Sequence, residues 1–405
     1  MRHALCLAIG GCLAASALAQ PSIVDVGLYA GLPSTELHAV NLGGNIAAGE
    51  CYSGGYAQYP RSGQQAVRWT AEGLESVAAP DLGAANAMNE AGQIIVGDSA
   101  PGNSFHAFRW SAFDGFHPLA MLADWTQSSA KAVSADGSIT VGFGWGPSTV
   151  QSPCRWTVAQ GLQLLPLAGA ADGYAAAISA DGSIIAGRAG TNAVRWINGA
   201  NPAPLGAGNA YGISSDGRVT VGASSFNGLS RAARWVDNAG AVTVTNLGAV
   251  PVISGWPEDQ VYSTALAVSG DGKTIVGYTG VIPNLHTPRA FLWREELGIV
   301  DLTNYLSSIG LDMSGRELIT ANAINYSGTV IAAGRSIVHL PPWCGGADFN
   351  HDGDARTDAD IEAFFACLAG HCCATCDSAD FNGDGDSGTD ADIESFFRVL
   401  AGGPC

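Results

Sequence analysis

The chain has 405 residues, 54 of them glycine, with only 13% charged side chains and a net charge of −18. So acidic a surface excludes nucleic acid as a partner, because phosphates are bound by Lys and Arg that displace their counterions. Past residue 19 no apolar run reaches the roughly 20 residues needed to cross a bilayer, so no transmembrane anchor is expected.

The chain opens with Arg2 and His3, a short apolar run over residues 5–13, and Ala17-Leu18-Ala19 before Gln20. A basic start, a brief apolar core and small residues at −3 and −1 make residues 1–19 a signal peptide. The mature protein is therefore expected to be secreted, extracellular or at the cell surface, with the periplasm as the alternative.

Residues 20–340 repeat one phrase, best seen at 177–187 as AISADGSIIAG, with further copies at 39–49, 87–97, 132–142, 212–222 and 267–277. A seventh copy from Ala323 places Ala333 where the others close on glycine. Each phrase predicts a hairpin: an apolar stretch, a turn of Asp-Gly or Gly-Gly, then a β-branched stretch. A third strand ends in Arg-Trp at 68–69, 109–110, 155–156, 195–196 and 234–235, and in Leu292-Trp293 in the sixth copy. A fourth short strand follows, as over residues 161–167 or 298–302. Four strands per repeat predict an all-β fold, a β-propeller, rather than a β-solenoid. The last copy lacks its Trp strand and its fourth strand, while residues 23–27 look like a fourth strand with no blade before it. Docking the one onto the other closes seven blades and hides an open edge.

His106-Ala107-Phe108-Arg109-Trp110 and Arg289-Ala290-Phe291-Leu292-Trp293 resemble the signature of the HAF family of extracellular repeats. The resemblance covers residues 23–340. It implies an exported repeat protein and no particular reaction.

Several residues invite a functional reading. Six tryptophans at one position per repeat could stack sugars, but a position recreated in every blade is first a core position, since each ring buries about 150–250 Å². The arginines before them could pair with the hairpin aspartates Asp136, Asp181, Asp216 and Asp271. Copies one and two, however, carry Gly43 and Ala91 there, so the aspartates read as turn-formers. The histidines are scattered, and neither a nucleophile elbow nor a metalloprotease helix occurs. Glu258-Asp259 are the only neighbouring acids on a long loop, and they read as solvated.

A short linker, 341–347, leads to a segment of different chemistry. From Cys344 onward there are 13 acidic residues against Arg356 and Arg398 alone. Asp348, Asn350, Asp352, Gly353 and Asp354 recur as Asp380, Asn382, Asp384, Gly385 and Asp386, each set running through Thr-Asp-Ala-Asp-Ile-Glu into a helix. Oxygen side chains at loop positions 1, 3 and 5 with glycine at 6 suit Ca²⁺, which takes six to eight oxygens. The duplication resembles a type I dockerin over residues 348–405, with one departure: Ala359 and Ala391 occupy position 12. A loop one residue longer, closed by Asp360 and Asp392, is expected, with Asp358 and Asp390 as the alternative ligands. Two Ca²⁺ ions follow, and a cohesin-like or surface partner is what the resemblance implies. Thr357 and Thr389 should cap the two helices. Ile361, Phe364, Phe365 and Leu368 form an apolar stripe. In an exported chain, six cysteines crowded here read as disulfides. Aligning the two halves pairs Cys344 with Cys373 and Cys376 with Cys405, leaving Cys367 and Cys372 for a local bridge.

The expected protein is thus a secreted, non-catalytic binding or structural propeller, with carbohydrate among its candidate ligands and a calcium-stabilised docking tail. The alternative is a propeller hydrolase or lyase acting on polysaccharide. Acids and aromatics converging at one mouth of the propeller would favour the enzyme, and a bland mouth the binding protein.

Overall fold

The computed structural model describes residues 20–53, 63–77, 83–101, 104–238, 240–250, 260–281, 288–341, 347, 349–350, 354–373, 376, 379–382 and 387–401. The expected signal peptide, most of the linker and the Glu258-Asp259 pair lie outside these residues. No helix among them is long and apolar enough to cross a membrane.

Seven four-stranded antiparallel sheets form a seven-bladed propeller. Blade 1 takes Ser34–Val40, Ala47–Tyr52, Gln65–Thr70 and Gly73–Ser76, and the next five blades repeat that order along the chain. The first strand of each blade touches that of the next, and the last touches the first, so these strands are the inner ring. Blade 7 takes Ala323–Ile324, Val330–Ala333 and Ser336–His339, and its outer strand is Ser22–Asp25 from the other end of the chain. Ile23 lies opposite Val338 and Val24 opposite Ile337, which is the closure the sequence predicts.

The hairpin turns explain the repeated aspartate. Asp136 Oδ1 accepts from the Ser134 hydroxyl at 2.6 Å and from the Ser138 N–H at 2.9 Å, and Asp181, Asp216 and Asp271 repeat the pattern. Gly137 follows at φ +74°, in the left-handed region that glycine enters freely. In blades 1, 4 and 5 the arginine of the third strand reaches the next blade, whereas Arg109 faces Asp114 of its own blade at 4.0 Å. Arg195 donates to Asp237 at 2.7 Å, and the Arg68 and Arg234 guanidinium groups lie 5.6 and 5.4 Å from the Trp110 and Trp293 ring centres. The tryptophans are core as expected: Trp156, Trp196, Trp235 and Trp293 are buried and Trp69 and Trp110 half-buried.

The glycine that closes each phrase is dictated by the inner strand beside it. A Cβ on Gly142 would stand 1.9 Å from the Ser129 carbonyl oxygen, and one on Gly49 would stand 2.0 Å from that of Glu36. Blade 7 carries Ala333 there because its inner strand, Ala323–Ile324, pairs only as far as Ala332, so no inner-strand residue lies opposite 333.

Two corrections concern the connection to blade 7 and the tail. The fourth strand of blade 6 stops at Asp301, whose carboxylate caps an unexpected helix α1, Leu302–Ser308, by accepting from the Asn304 N–H at 2.9 Å. In the tail, helices α2 (Asp358–Leu368) and α3 (Asp390–Leu400) carry the expected Thr357 and Thr389 capping boxes. Their core is Phe349, Phe364, Phe381 and Phe396, all essentially fully buried, with Phe364 and Phe396 stacked at 4.0 Å. Phe365, expected in the buried stripe, is 45% exposed instead. A stripe of adjacent residues 364 and 365 spans some 100° of helix, and the small core closes on the first alone.

The long bridges expected in the tail are also overturned. Cys373 is bonded to Cys376, with Cα atoms 5.1 Å apart, which removes a partner from both Cys344–Cys373 and Cys376–Cys405. A turn in which the Cys376 N–H donates to the Cys373 carbonyl at 3.3 Å brings the two thiols together locally. The local Cys367–Cys372 bridge is present as expected. Cys51 and Cys154 are free and buried.

Candidate functional site

Each inner strand of blades 1 to 6 carries a bulge at one place. The pairing register skips a single residue between Leu37 and Ala39, and does the same after Ala85, Ala130, Ala175, Ala210 and Ala265. The skipped residues are His38, Asn86, Lys131, Ala176, Tyr211 and Leu266, and Asn322 holds the same place in blade 7. All seven are half-buried. Two positions on, on the same face of each strand, Val40, Met88, Val133, Ile178, Ile213, Val268 and Ile324 line an axial cavity of about 180 Å³. The skipped residues therefore ring the axis just before an apolar collar. They lie towards the end where the first strands begin, opposite the hairpin turns.

What surrounds this ring is uneven. Blades 1 and 2 contribute acids: Glu36 and Glu50 face each other across one pair of strands, and Asp98 lies 3.6 Å from Lys131. All three acids are buried, at 8%, 3% and 3% exposure. Asn86 Nδ2 donates to Asp98 at 3.1 Å and to the Ala130 carbonyl of the next blade at 2.9 Å, while Asn322 Nδ2 donates to the Leu37 carbonyl at 2.9 Å. Burial opposes charge on His38, but a hydrogen bond to Glu50 and the charges of Glu36 and Glu50 outweigh it and hold the imidazole above its ordinary value.

Blades 3 to 6 contribute aromatics. Phe143 and Trp145 stack at 5.5 Å, Phe143 lies 6.0 Å from Tyr174, and Lys131 Nζ stands 5.9 Å above Phe143. Arg188 lies 5.2 Å from the Tyr174 ring and is paired to Asp172 at 2.6 Å. The Tyr174 hydroxyl donates to Asn209 at 3.1 Å, and Tyr262 meets Tyr278 edge to face at 6.0 Å. Burial pushes the phenols of Tyr174, Tyr211 and Tyr262 up, so they stay protonated and able to donate at neutral pH. A second cleft, about 580 Å³, opens between blades 7 and 1 beside Asp25, Tyr52, Arg316 and Arg335.

None of the axial residues figures among the sequence-derived site residues. A signal was present: the residue immediately before each repeated phrase reads His, Asn, Lys, Ala, Tyr, Leu and Asn. Its neighbours recur from copy to copy and it does not.

The expected calcium ligands divide. Asp348, Asp352, Asp384 and Asp386 lie outside the described residues. Asn350, Asp354, Asp360, Asp380, Asn382 and Asp392 lie within them, and the two halves match. The Arg356 N–H donates to the Ala347 carbonyl at 2.9 Å, as the Gly388 N–H does to Ala379 at 3.0 Å, so each loop is drawn closed at the same place. Asp360 and Asp392 are fully buried. Asp360 Oδ1 accepts from the Phe349 N–H at 2.8 Å and its Oδ2 from the Thr357 N–H at 2.8 Å. Asp392 Oδ1 accepts from the Asn382 N–H at 3.2 Å and its Oδ2 from the Thr389 N–H at 2.8 Å. Asp360 Oδ1 also accepts from the Asn350 N–H at 3.4 Å and its Oδ2 from the Thr357 hydroxyl at 3.0 Å. Asp392 Oδ2 also accepts from the Thr389 hydroxyl at 2.8 Å, so these carboxylates tie loop entry to helix start. Burial of Asp360 acts against its charge, but the bonds from Thr357, Asn350 and Phe349 hold its carboxyl below the usual range. The members of the expected set among the described residues offer oxygen donors alone, the type that Ca²⁺ takes.

No known family profile and no curated protein matches the chain. Solved structures resemble it in fold. An oligogalacturonate lyase from Vibrio parahaemolyticus is 10% identical with a TM-score of 0.48, the match covering 80% of this chain and 99% of that one. The Cps50 (Swd1) β-propeller domain of Myceliophthora thermophila is 11% identical with a TM-score of 0.46, over 78% and 98% of the two chains. TolB from Acinetobacter baumannii is 12% identical with a TM-score of 0.39 over 55% of this chain, which spans about half (54%) of that protein's length. The shared property is the propeller.

Proposed function

We propose that this chain is an exported binding protein whose propeller holds a carbohydrate at the axial mouth, and whose acidic tail folds around two Ca²⁺ ions and docks to a partner. One observation carries the first half. In a body whose blades repeat their turns, closing glycines and Arg-Trp strands, the seven axial positions diverge into an asymmetric ring of imidazole, amide, cation, phenol and small or apolar side chains, with the acids Glu36, Glu50 and Asp98 beside it. Selective binding sites are concave, largely apolar, and fixed by a few convergent polar groups. The half-exposed Phe143–Trp145 pair offers flat apolar faces to sugar rings, and Lys131, whose ammonium has three N–H groups, offers donors to hydroxyls and carboxylates.

The tail reading rests on the duplicated oxygen-bearing loops and their matched closure. Phe365 and Phe397, exposed at 45% and 44% with ring centres 6.2 Å apart, supply an apolar surface for a cohesin-like or cell-surface partner.

A second reading, a polysaccharide hydrolase or lyase, is favoured by the convergence of Glu36, Glu50, His38 and the tyrosines at one mouth. The mouth is not bland, but Glu50 and Asp98 are buried and already engaged, Glu50 by Gln64 and Asp98 by Asn86 and Lys131, which is why binding is the first reading. Binding and turnover are separated by titrating the full chain with oligosaccharides, neutral and uronic, and assaying the same mixtures for shortened products. Binding that Trp145→Ala and Lys131→Ala each weaken at least about ten-fold, without product, supports the binding protein. Product formation lost in Glu50→Gln makes it the enzyme, and neither binding nor product refutes both.

A further inference from the structure

We infer that Glu36, His38, Glu50 and Gln64 form a site for one divalent transition-metal ion, Mn²⁺ or Zn²⁺, distinct from the tail. Glu36 and His38 share the inner strand of blade 1, and Glu50 stands opposite Glu36 on the neighbouring strand. One oxygen from each carboxylate and one nitrogen of the imidazole all lie within 4.8 Å of one another. The bulge in the inner strand is what brings them together. In a regular strand residues 36 and 38 would project in parallel, some 7 Å apart, whereas the extra residue bends the strand and re-aims a side chain.

A second observation points to an ion. Gln64 is 1% exposed, its Nε2 donates to Glu50 Oε2, and its Oε1 is buried with no hydrogen-bond partner. A buried acceptor left without a donor costs about 1–3 kcal/mol. A half-turn of the amide would set Oε1 against the Glu50 carboxylate, two acceptors face to face, an arrangement that needs a cation between them. Asn322 Nδ2, 3.4 Å from Glu36 Oε1, supplies the outer hydrogen bond that orients a ligating carboxylate. Three oxygens and one imidazole nitrogen form a mixed donor set. Imidazole suits Zn²⁺ and carboxylates suit Mn²⁺, whereas Ca²⁺ takes oxygen alone. Four protein donors leave room on a six-coordinate ion for ligand oxygens arriving through the mouth. Only this last role rests on the carbohydrate reading; the presence of the ion does not.

The test uses the full chain, stripped with chelator and then held in excess Ca²⁺ so that all-oxygen sites elsewhere are filled. Metal analysis after equilibrium dialysis against Mn²⁺ or Zn²⁺ should find one ion per chain, and the melting temperature should rise on loading. Glu50→Gln and His38→Asn should each weaken uptake about ten- to a hundred-fold and abolish that rise. If Glu50→Gln does not fold, His38→Asn, at a half-exposed position, decides alone. No uptake by the wild-type chain, or uptake unchanged in His38→Asn, overturns the site. Oligosaccharide binding measured on the metal-free chain keeps the two readings apart: sugar bound without metal leaves the carbohydrate mouth standing, and metal bound without sugar leaves this site standing.

Discussion

Both carboxylate oxygens of Asp25 accept from Arg316 Nη1 at 3.0 Å, a contact across 291 residues that pins the outer strand of blade 7 to the segment leading into that blade. The Ser336 hydroxyl donates to the same carboxylate at 2.6 Å, and Arg335 stands 3.8 Å away. Burial works against the charge of Asp25, but Ser336, Arg316 and Arg335 outweigh it and lower its carboxyl below the ordinary value.

The sign of the pH effect follows. A carboxyl whose folded value is lowered contributes stability that is present above its unfolded value, near 3.8, and lost as pH falls through the folded value. Asp25→Asn should therefore lower stability at pH 7 by about 1 kcal/mol or less, since the pair is partly exposed and screened by water. The difference from wild type should vanish at a pH below the folded value. Urea unfolding at the two pH values checks it, and a difference that grows in acid would contradict the assignment.

Removing Ser22–Asp25 altogether is a larger change. It bares the edge of Ser336–His339 and uncovers Val338, which Ile23 faces. Ile23 is half-buried, so losing it forfeits part of the roughly 1.5–3 kcal/mol that full burial gives. The truncated chain should melt lower and associate in light scattering; an unchanged, monomeric product would argue against closure by this strand.

The closing glycines make a paired prediction. Gly142→Ala drives a methyl into the Ser129 carbonyl, so it should cost on the order of 1–3 kcal/mol or more as the bulge is forced apart. Ala333→Gly, at the matching position of blade 7, should cost about 1 kcal/mol or less, through backbone freedom alone. Equal effects of the two changes in chemical denaturation would mean that the bulge does not set the residue.

For the tail, calorimetry on the full chain should register two Ca²⁺ ions, against none for a chain ending at Leu340. Removing Ca²⁺ at constant Mn²⁺ or Zn²⁺ should loosen α2 and α3 while the propeller's melting transition stays. Asp360→Asn should weaken one ion and Asp392→Asn the other, each also loosening its loop, because each carboxylate holds loop and N-cap together. A full chain that takes up no calcium would remove this reading.

Thiol chemistry distinguishes the observed bridges from the expected ones. Non-reducing peptide maps should link Cys373 to Cys376 and Cys367 to Cys372. Cys51 and Cys154, whose thiols burial pushes up, should resist alkylation until denaturant is added. Rapid labelling of either in the native protein would show that its blade opens.

Much of this protein was legible in the sequence. A repeated unit must bury the same positions each time, so the blade strands, the hairpin turns and the tryptophans of six copies follow from local pattern, as do the helix caps Thr357 and Thr389 of the tail. Even closure could be read, because the first strand and the unfinished last copy complement each other. The tertiary structure decided what depends on proximity between distant segments. That Cys373 prefers Cys376 follows from one turn, which alignment of the two halves cannot see. That Phe364 is buried while Phe365 is not depends on how two helices meet. Above all, the axial ring of His38, Asn86, Lys131 and Tyr211, joined by Asn322 at the same place in blade 7, exists because single residues of separate blades turn towards a common axis, in blades 1 to 6 at bulges. Sequence records a side chain's neighbours along the chain, and a site assembled from one residue per blade has none.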